Sequence, residues 1–315
     1  MKTLPVSAAH ALAVVPEVDA WLIEGLWARA GVGIIGGEPK CCKSFLALDM
    51  AVAVASGTPC LRHFRTAQPG RVLLYAAEDA LPTVRQRLHG ICVAAGVALE
   101  NVDIQVITSA ALRLDSQDDQ QRLEATVAML KPRLLILDPF VRLHRIDENV
   151  SGEVAPLLAY LRDLQRAHDL AVALVHHARK SSGPTRPGQA LRGSSEFHAW
   201  GDSNLYMRRR DEALTVTTEH RAAPSGDPLP VALTELNGGL ALQVRPASNQ
   251  HGLPDIPKDV TAAILQVLST ASEPLSRDCL RQTCRCRAQT LSTALQELLA
   301  AGRISKSPLG YALAN

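Results

Sequence analysis

The stretch Val32-Gly33-Ile34-Ile35-Gly36-Gly37-Glu38-Pro39-Lys40-Cys41-Cys42-Lys43-Ser44-Phe45 decides the fold. It opens as a short β-branched run and ends in two glycines, and residues 45–56 beyond it are rich in Ala and Leu, with good helix propensity. The predicted local order is strand, glycine loop, helix. Gly37, four residues, position 42, Lys43 and Ser44 keep the spacing of a phosphate loop. In such a loop, backbone N–H groups and a helix N-terminus wrap phosphate oxygens, the lysine reaches the β/γ-phosphates and the hydroxyl holds Mg²⁺. Cys42 stands where the pattern has its second glycine. A cysteine there either sits at negative φ without consequence or narrows the pocket with its Cβ. Taken alone, the spacing also suits an ordinary strand-to-helix turn.

The same alternation continues outward. Strands are predicted at 71–76, 102–107, 134–137 and 170–175, with helices at 81–95, 118–130 and 154–168. Near-continuous apolar strands between helices indicate a parallel sheet covered on both faces. From 204 to 244 the period changes to strict alternation, as in Leu214-Thr215-Val216-Thr217-Thr218, with a turn at Gly238-Gly239, which predicts an antiparallel extension of that sheet.

Three strand ends carry chemistry. Leu134-Leu135-Ile136-Leu137-Asp138 is an apolar strand ending in a carboxylate, the form that faces Mg²⁺ at the carboxyl edge of a parallel sheet; a capping Asp is the plainer alternative. Glu78 follows the strand at 71–76, where it could orient or deprotonate an attacking water, or, with Asp79, simply start the next helix. His176 and His177 end the strand at 170–175, where a donor could contact a γ-phosphate.

The 315 residues, 47% of them hydrophobic, suffice for one large α/β domain and a small appendage. Aromatic residues are only 3%, so a base-stacking surface would be sparse. A net charge of +2 announces no nucleic-acid binder by global electrostatics, leaving that role to local patches. Seven scattered cysteines, an odd number, do not read as a disulfide framework and point to a reducing compartment. No apolar run reaches a membrane-spanning length, and Pro5, Ser7 and His10 interrupt any signal-peptide core, so no membrane association and a cytoplasmic location are expected. The expected organisation is a flexible leader (1–20), a core domain (21–245), a proline-rich linker (246–257) and a C-terminal domain (258–315).

The ordered segments GEPKCCKS, LLYAAED, LLILDPFVRLH with DENVSG, ALVHHARK and ALRGSSE resemble the RepA-type hexameric replicative helicases of plasmids and related RecA-like AAA ATPases of mobile elements. The resemblance spans Trp21 to Arg210 and departs from the family loop at Cys42. It implies a RecA-like P-loop core that binds ATP and Mg²⁺, with Gly37, Glu38, Pro39, Lys40, Cys41, Cys42, Lys43, Ser44 and Phe45 forming the nucleotide cradle. It further implies Ser44 and Asp138 as Mg²⁺ ligands, Glu78 as catalytic carboxylate and His176 as γ-phosphate sensor. Arg192 matches the arginine such hexamers insert into a neighbouring subunit's site, so activity would require a homo-oligomer.

The stretch 179–188, basic and rich in Gly and Pro, is either a DNA-contacting loop or a solvated one, and Arg208-Arg209-Arg210 reads as an exposed turn at a strand end. Residues 258–315 read as three helices and a hairpin, a winged-helix pattern with seven Lys or Arg against four Asp or Glu, suited to DNA or to protein docking. Cys279, Cys284 and Cys286 lack zinc-ligand spacing. Two functions compete: a ring-forming ATPase motor or switch acting on DNA in plasmid or mobile-element replication or recombination, and a DNA-binding adaptor or recombinase or transposase regulator whose nucleotide site turns over weakly.

Overall fold

The computed structural model describes residues 6–11, 20–177, 196–210, 213–245, 260–271, 273–284, 288–307 and 310–314. Two compact units divide the chain, Met1–Pro246 and Ala247–Asn315. The predicted linker, the loop at 179–188, Arg192, Cys286 and most of the leader lie outside the described residues.

In the first unit, a 3₁₀ turn at Ala9–Ala11 precedes a small hairpin, β1 (Trp21–Ile23) and β2 (Trp27–Ala28), followed by β3 (Val32–Gly37) and α1 (Lys43–Ser56). Next come β4 (Val72–Ala76), α2 (Leu81–Ala95), β5 (Ile104–Val106), α3 (Gln117–Leu130) and β6 (Leu134–Asp138). The parallel part closes with α4 (Ser151–His168), β7 (Ala171–His177), the short α5 (Glu196–Trp200) and β8 (Ser203–Arg210). Three antiparallel strands complete it: β9 (Ala213–His220), β10 (Leu229–Leu236) and β11 (Gly239–Val244).

Nine strands form one sheet in the order β11-β10-β9-β8-β3-β7-β6-β4-β5. From β8 to β5 every pairing is parallel, and from β8 to β11 every pairing is antiparallel. This is the mostly parallel sheet with an antiparallel extension that the sequence predicts. β3 lies at the centre, so the loop after Gly37 opens at the carboxyl edge of the parallel half, where open α/β sheets bind ligands.

Strands β3, β4, β6 and β7 carry apolar residues on both faces because each face has its own core. One holds Ile35, Leu74, Ile136, Ala173 and Val175 against Leu46, Met50 and Val54 of α1 and Val84 and Leu88 of α2. The other holds Ile34, Leu73, Leu135, Leu137 and Leu174 against Val127 of α3, Leu161 of α4 and Phe197 of α5. α1 sits under sheet, α2 and β11 at once, which is why its sequence is apolar all round rather than striped. Asp49, fully buried on α1, accepts hydrogen bonds from the Leu61 amide (2.7 Å) and the Arg62 guanidinium (2.5 Å), holding two consecutive left-handed residues in place.

The glycine pair of the β10–β11 hairpin divides its labour differently from the sequence expectation. The turn residues are Asn237 and Gly238, both at positive φ (54° and 85°), the combination a two-residue type I′ hairpin requires. Gly239 already belongs to β11 and lies against α2, where a Cβ would stand 2.1 Å from the Gly90 carbonyl oxygen.

The second unit contains α6 (Val260–Thr270), α7 (Arg277–Thr283), α8 (Ala288–Ala300) and an antiparallel pair, β12 (Ile304–Ser307) and β13 (Gly310–Leu313). Ile264, Leu280, Leu291, Leu295, Leu298, Ile304 and Tyr311 make its core, and a bridge from Leu275 to Tyr311 ties the segment before α7 to the hairpin. No described helix is long and apolar enough to cross a membrane. The six described cysteines are all free thiols.

Candidate nucleotide site

The loop between β3 and α1 is shaped by three residues at positive φ: Gly37 (154°), Lys40 (64°) and Cys42 (65°). Gly37 is required by space as well, since a Cβ there would stand 2.3 Å from the Met207 carbonyl oxygen. Cys42 is the N-cap of α1 in the left-handed conformation, and its carbonyl accepts the first helical bond from Leu46 at 3.0 Å. Of the two readings open in the sequence, the harmless negative φ is therefore excluded: Cys42 adopts the glycine's conformation and carries its side chain there. For a non-glycine residue that conformation costs about 1 kcal/mol.

Lys43 begins α1 with its side chain folded back into the loop, where Nζ donates to the Glu38 carbonyl at 2.8 Å; the Cys41 thiol donates to the same oxygen at 2.8 Å. Burial lowers the lysine's pKa, while Cys41, Asp138 and Glu78 act in the opposite sense. Ser44 follows, and its side chain lies beside the Asp138 carboxyl at the end of β6, where it favours the charged form. Asp138 is 8% exposed, and burial pushes its pKa up to about 6. The nearby Ser44 side chain opposes that rise, as does the Lys43 charge, whereas Asp79 and Glu78 add to it.

Glu78 reaches this cluster because the Ala77 amide donates to the Asp138 carbonyl at 2.7 Å, aligning the segment after β4 with the end of β6. Its carboxylate accepts from Arg142 Nε at 2.9 Å, and the neighbouring Asp79 is ion-paired with Arg87. The Arg87 guanidinium in turn lies 5.3 Å over the ring of Phe45, so the aromatic residue after Ser44 is held beneath a cation. Lys43, Ser44, Glu78 and Asp138 thus converge at one sheet edge from three separate strands.

A Mg²⁺ ion fits this donor set. The ion usually keeps several waters and takes one or two protein oxygens together with substrate phosphates. The Ser44 hydroxyl beside the buried Asp138 carboxyl supplies that pair. Among the described residues, no group of three or more His, Cys, Asp or Glu could hold a metal by itself.

The two histidines part company. Val175 packs in the core on the α1 side, so strand alternation places His177 on the face of the phosphate loop, in register with Gly37. His176 is on the other face, 1% exposed, stacked on Phe197 (centroids 4.4 Å, 22°) and edge-on to Phe140 (6.1 Å). This corrects the expectation for His176, whose ring belongs to an aromatic cluster on the far side of the sheet from the loop.

Arg208, Arg209 and Arg210 also differ from the exposed turn expected of them. They are the last residues of β8, paired with Thr215, Leu214 and Ala213. Arg209 extends back to the phosphate loop, donating from Nε to the Lys40 carbonyl (3.3 Å) and from Nη2 to the Cys42 sulfur (3.5 Å). The only sequence signal for it is parity: Leu205, Met207 and Arg209 share one face of a strand.

Comparison with known proteins agrees with this fold. A solved DnaB-like replicative helicase, from a structure described together with its interactions with primase, superposes with a TM-score of 0.53 at 14% identity, covering 68% of this chain. The likeness is one of fold, a RecA-like α/β core, and this chain spans 57% of that structure's chain. A sequence model of the AAA domain family, AAA_25, matches residues 1–183, more than half of the protein and the whole of the loop, Glu78, Asp138 and histidine segments. The chain belongs to the AAA domain family.

Proposed function

We propose that the protein binds and hydrolyses ATP with Mg²⁺ and acts on DNA as a ring-forming motor or switch in plasmid or mobile-element replication or recombination, as the RepA-type resemblance implies. The observation that carries this reading is the convergence of the buried Lys43 and of Ser44 on the buried Asp138 carboxyl, two halves of a site brought together from positions far apart in the chain.

In this reading, backbone groups of residues 37–45 cradle the phosphates and Lys43 turns from the Glu38 carbonyl to the β/γ-oxygens. Ser44 and Asp138 hold Mg²⁺, which supplies charge neutralisation at the transferred phosphoryl group. Glu78, once its Arg142 partner gives way, takes the proton of the attacking water. The sensing role passes from His176 to His177, on the loop's face of the sheet. His176, stacked on Phe197, links the same strand end to α5. Arg192 completes the transition-state charge of a neighbouring subunit's site in a homo-oligomer such as a hexamer, and the basic loop at 179–188 contacts DNA. The second unit, three helices and a hairpin, acts as a winged helix with α8 as its recognition helix, or docks a recombinase, transposase or replication partner.

The test is steady-state ATP hydrolysis with and without single- and double-stranded DNA, together with sizing in ATP. Turnover stimulated by DNA and an oligomer that depends on ATP are expected. Loss of DNA stimulation on deleting residues 258–315 assigns the contact to the second unit, and its survival assigns it to 179–188. ATP binding without turnover under every condition would favour the adaptor reading, for which the side chain at Cys42 is the specific support.

A further inference from the structure

Arg209 is the one cation that reaches the phosphate loop from the antiparallel half of the described structure, and the reading above gives it no task. β8 lies on one side of β3, whereas β7 and then β6 lie on the other, so the guanidinium approaches from the flank opposite Asp138. Leu205 and Met207 are packed in the α1-side core with Ile35 and Cys41, which fixes the face from which Arg209 emerges. Its partners there are a carbonyl at 3.3 Å and a thiol at 3.5 Å. The first is long for an N–H···O bond and the second goes to sulfur, a weak acceptor, so neither draws the full strength of a charged fork that carries five donors. These partners belong to Lys40 and Cys42, the two left-handed non-glycine residues of the loop. The cysteine that breaks the glycine pattern therefore gives the arginine a resting place at the loop's rim.

We propose that Arg209 is a nucleotide ligand in cis: its guanidinium leaves the Lys40 carbonyl and the Cys42 thiol for the phosphate chain of a nucleoside di- or triphosphate, on the flank away from Mg²⁺. The proposal rests on reading residues 37–45 as a nucleotide cradle. Because Arg209 stands across the loop from Glu78 and Asp138, its contact is the same for ATP and ADP and does not grow in the transition state. It lowers KM and leaves kcat alone.

Calorimetric titration of the full chain with MgATP and with MgADP tests this. Arg209→Ala is expected to weaken both nucleotides by about tenfold, the range of a charge-assisted hydrogen bond. Steady-state KM should rise in parallel, with kcat within about twofold of wild type. Arg209→Gln, which keeps the strand's length of side chain and removes the charge, should weaken both nucleotides equally and decides the matter should the alanine variant lose its circular dichroism signal. Arg210→Ala, removing the adjacent exposed charge, should bind as wild type does. Unchanged affinity in a folded Arg209 variant, or equal weakening by Arg210→Ala, would overturn the proposal while leaving the cradle reading intact. A wild-type chain that binds neither nucleotide would overturn both.

Discussion

The two flanks of the phosphate loop are built from opposite materials. On the β7–β6–β4 side stand Asp138, Glu78 and Asp79, carboxylates delivered by strand ends of the parallel half. On the β8 side stands Arg209, delivered by the strand at which the sheet turns antiparallel. The acidic flank includes Asp138, whose ionisation burial opposes. The basic flank carries a charge whose partners in the loop are a backbone carbonyl and a sulfur. The contrast suggests a division of labour: chemistry and metal on one side, affinity on the other.

The largest effect expected from breaking that division is on the acidic flank. Glu78→Gln should lower kcat by about 10²- to 10⁴-fold, the usual contribution of a positioned general base, with little change in KM for ATP. A variant that instead raised KM would move Glu78 to the binding side of the comparison. Initial rates across a range of MgATP concentrations separate the two.

Next in size is a stability effect. The folded Asp138 holds its proton up to about pH 6, above its ordinary value of 3.8, so the native state binds that proton more tightly than the unfolded chain. Its ionisation costs nothing below about pH 4 and costs progressively more as pH rises through about 6, reaching roughly 3 kcal/mol at neutral pH. Asp138→Asn should therefore raise the nucleotide-free stability at pH 8 by up to about 3 kcal/mol and leave it nearly unchanged at pH 4. Urea unfolding at the two pH values measures this. Equal shifts at both would deny the carboxylate its buried, proton-retaining state.

The basic flank comes third, with the roughly tenfold affinity loss expected for Arg209→Ala. The smallest effect belongs to the residue beneath it. Cys42→Gly relieves a left-handed cysteine and should stabilise the unit by about 1 kcal/mol or less, since the added backbone freedom of glycine offsets part of the relief. If Cys42→Gly also raises kcat, the side chain hinders turnover; if it lowers KM alone, the thiol's hold on Arg209 competes with the nucleotide.

What could be read without coordinates follows from how local each signal is. Gly37, Lys43 and Ser44 sit within eight residues, and Leu134 to Asp138 is a single strand whose apolar run is forced by cores on both faces. Such features announce themselves. The direction of His176 did not, because parity along β7 assigns the two histidines to opposite faces only once it is known which face α1 covers. Arg209 was hidden more deeply. Its meeting with Cys42 joins residues 167 positions apart through a pairing of β8 with β3 that no local pattern encodes. The backbone at Cys42 was undecided for the opposite reason: a cysteine disfavours positive φ locally, and the closing of the loop between β3 and α1 overrides that preference.

The central claim is that Lys43, Ser44 and Asp138 form a working site despite the cysteine at position 42. Magnesium-dependent phosphate release from ATP by the wild-type chain, set beside Lys43→Ala under the same conditions, tests it most directly. The account predicts turnover in the wild type that disappears both on chelating magnesium and in Lys43→Ala. Equal rates in the two proteins would contradict it.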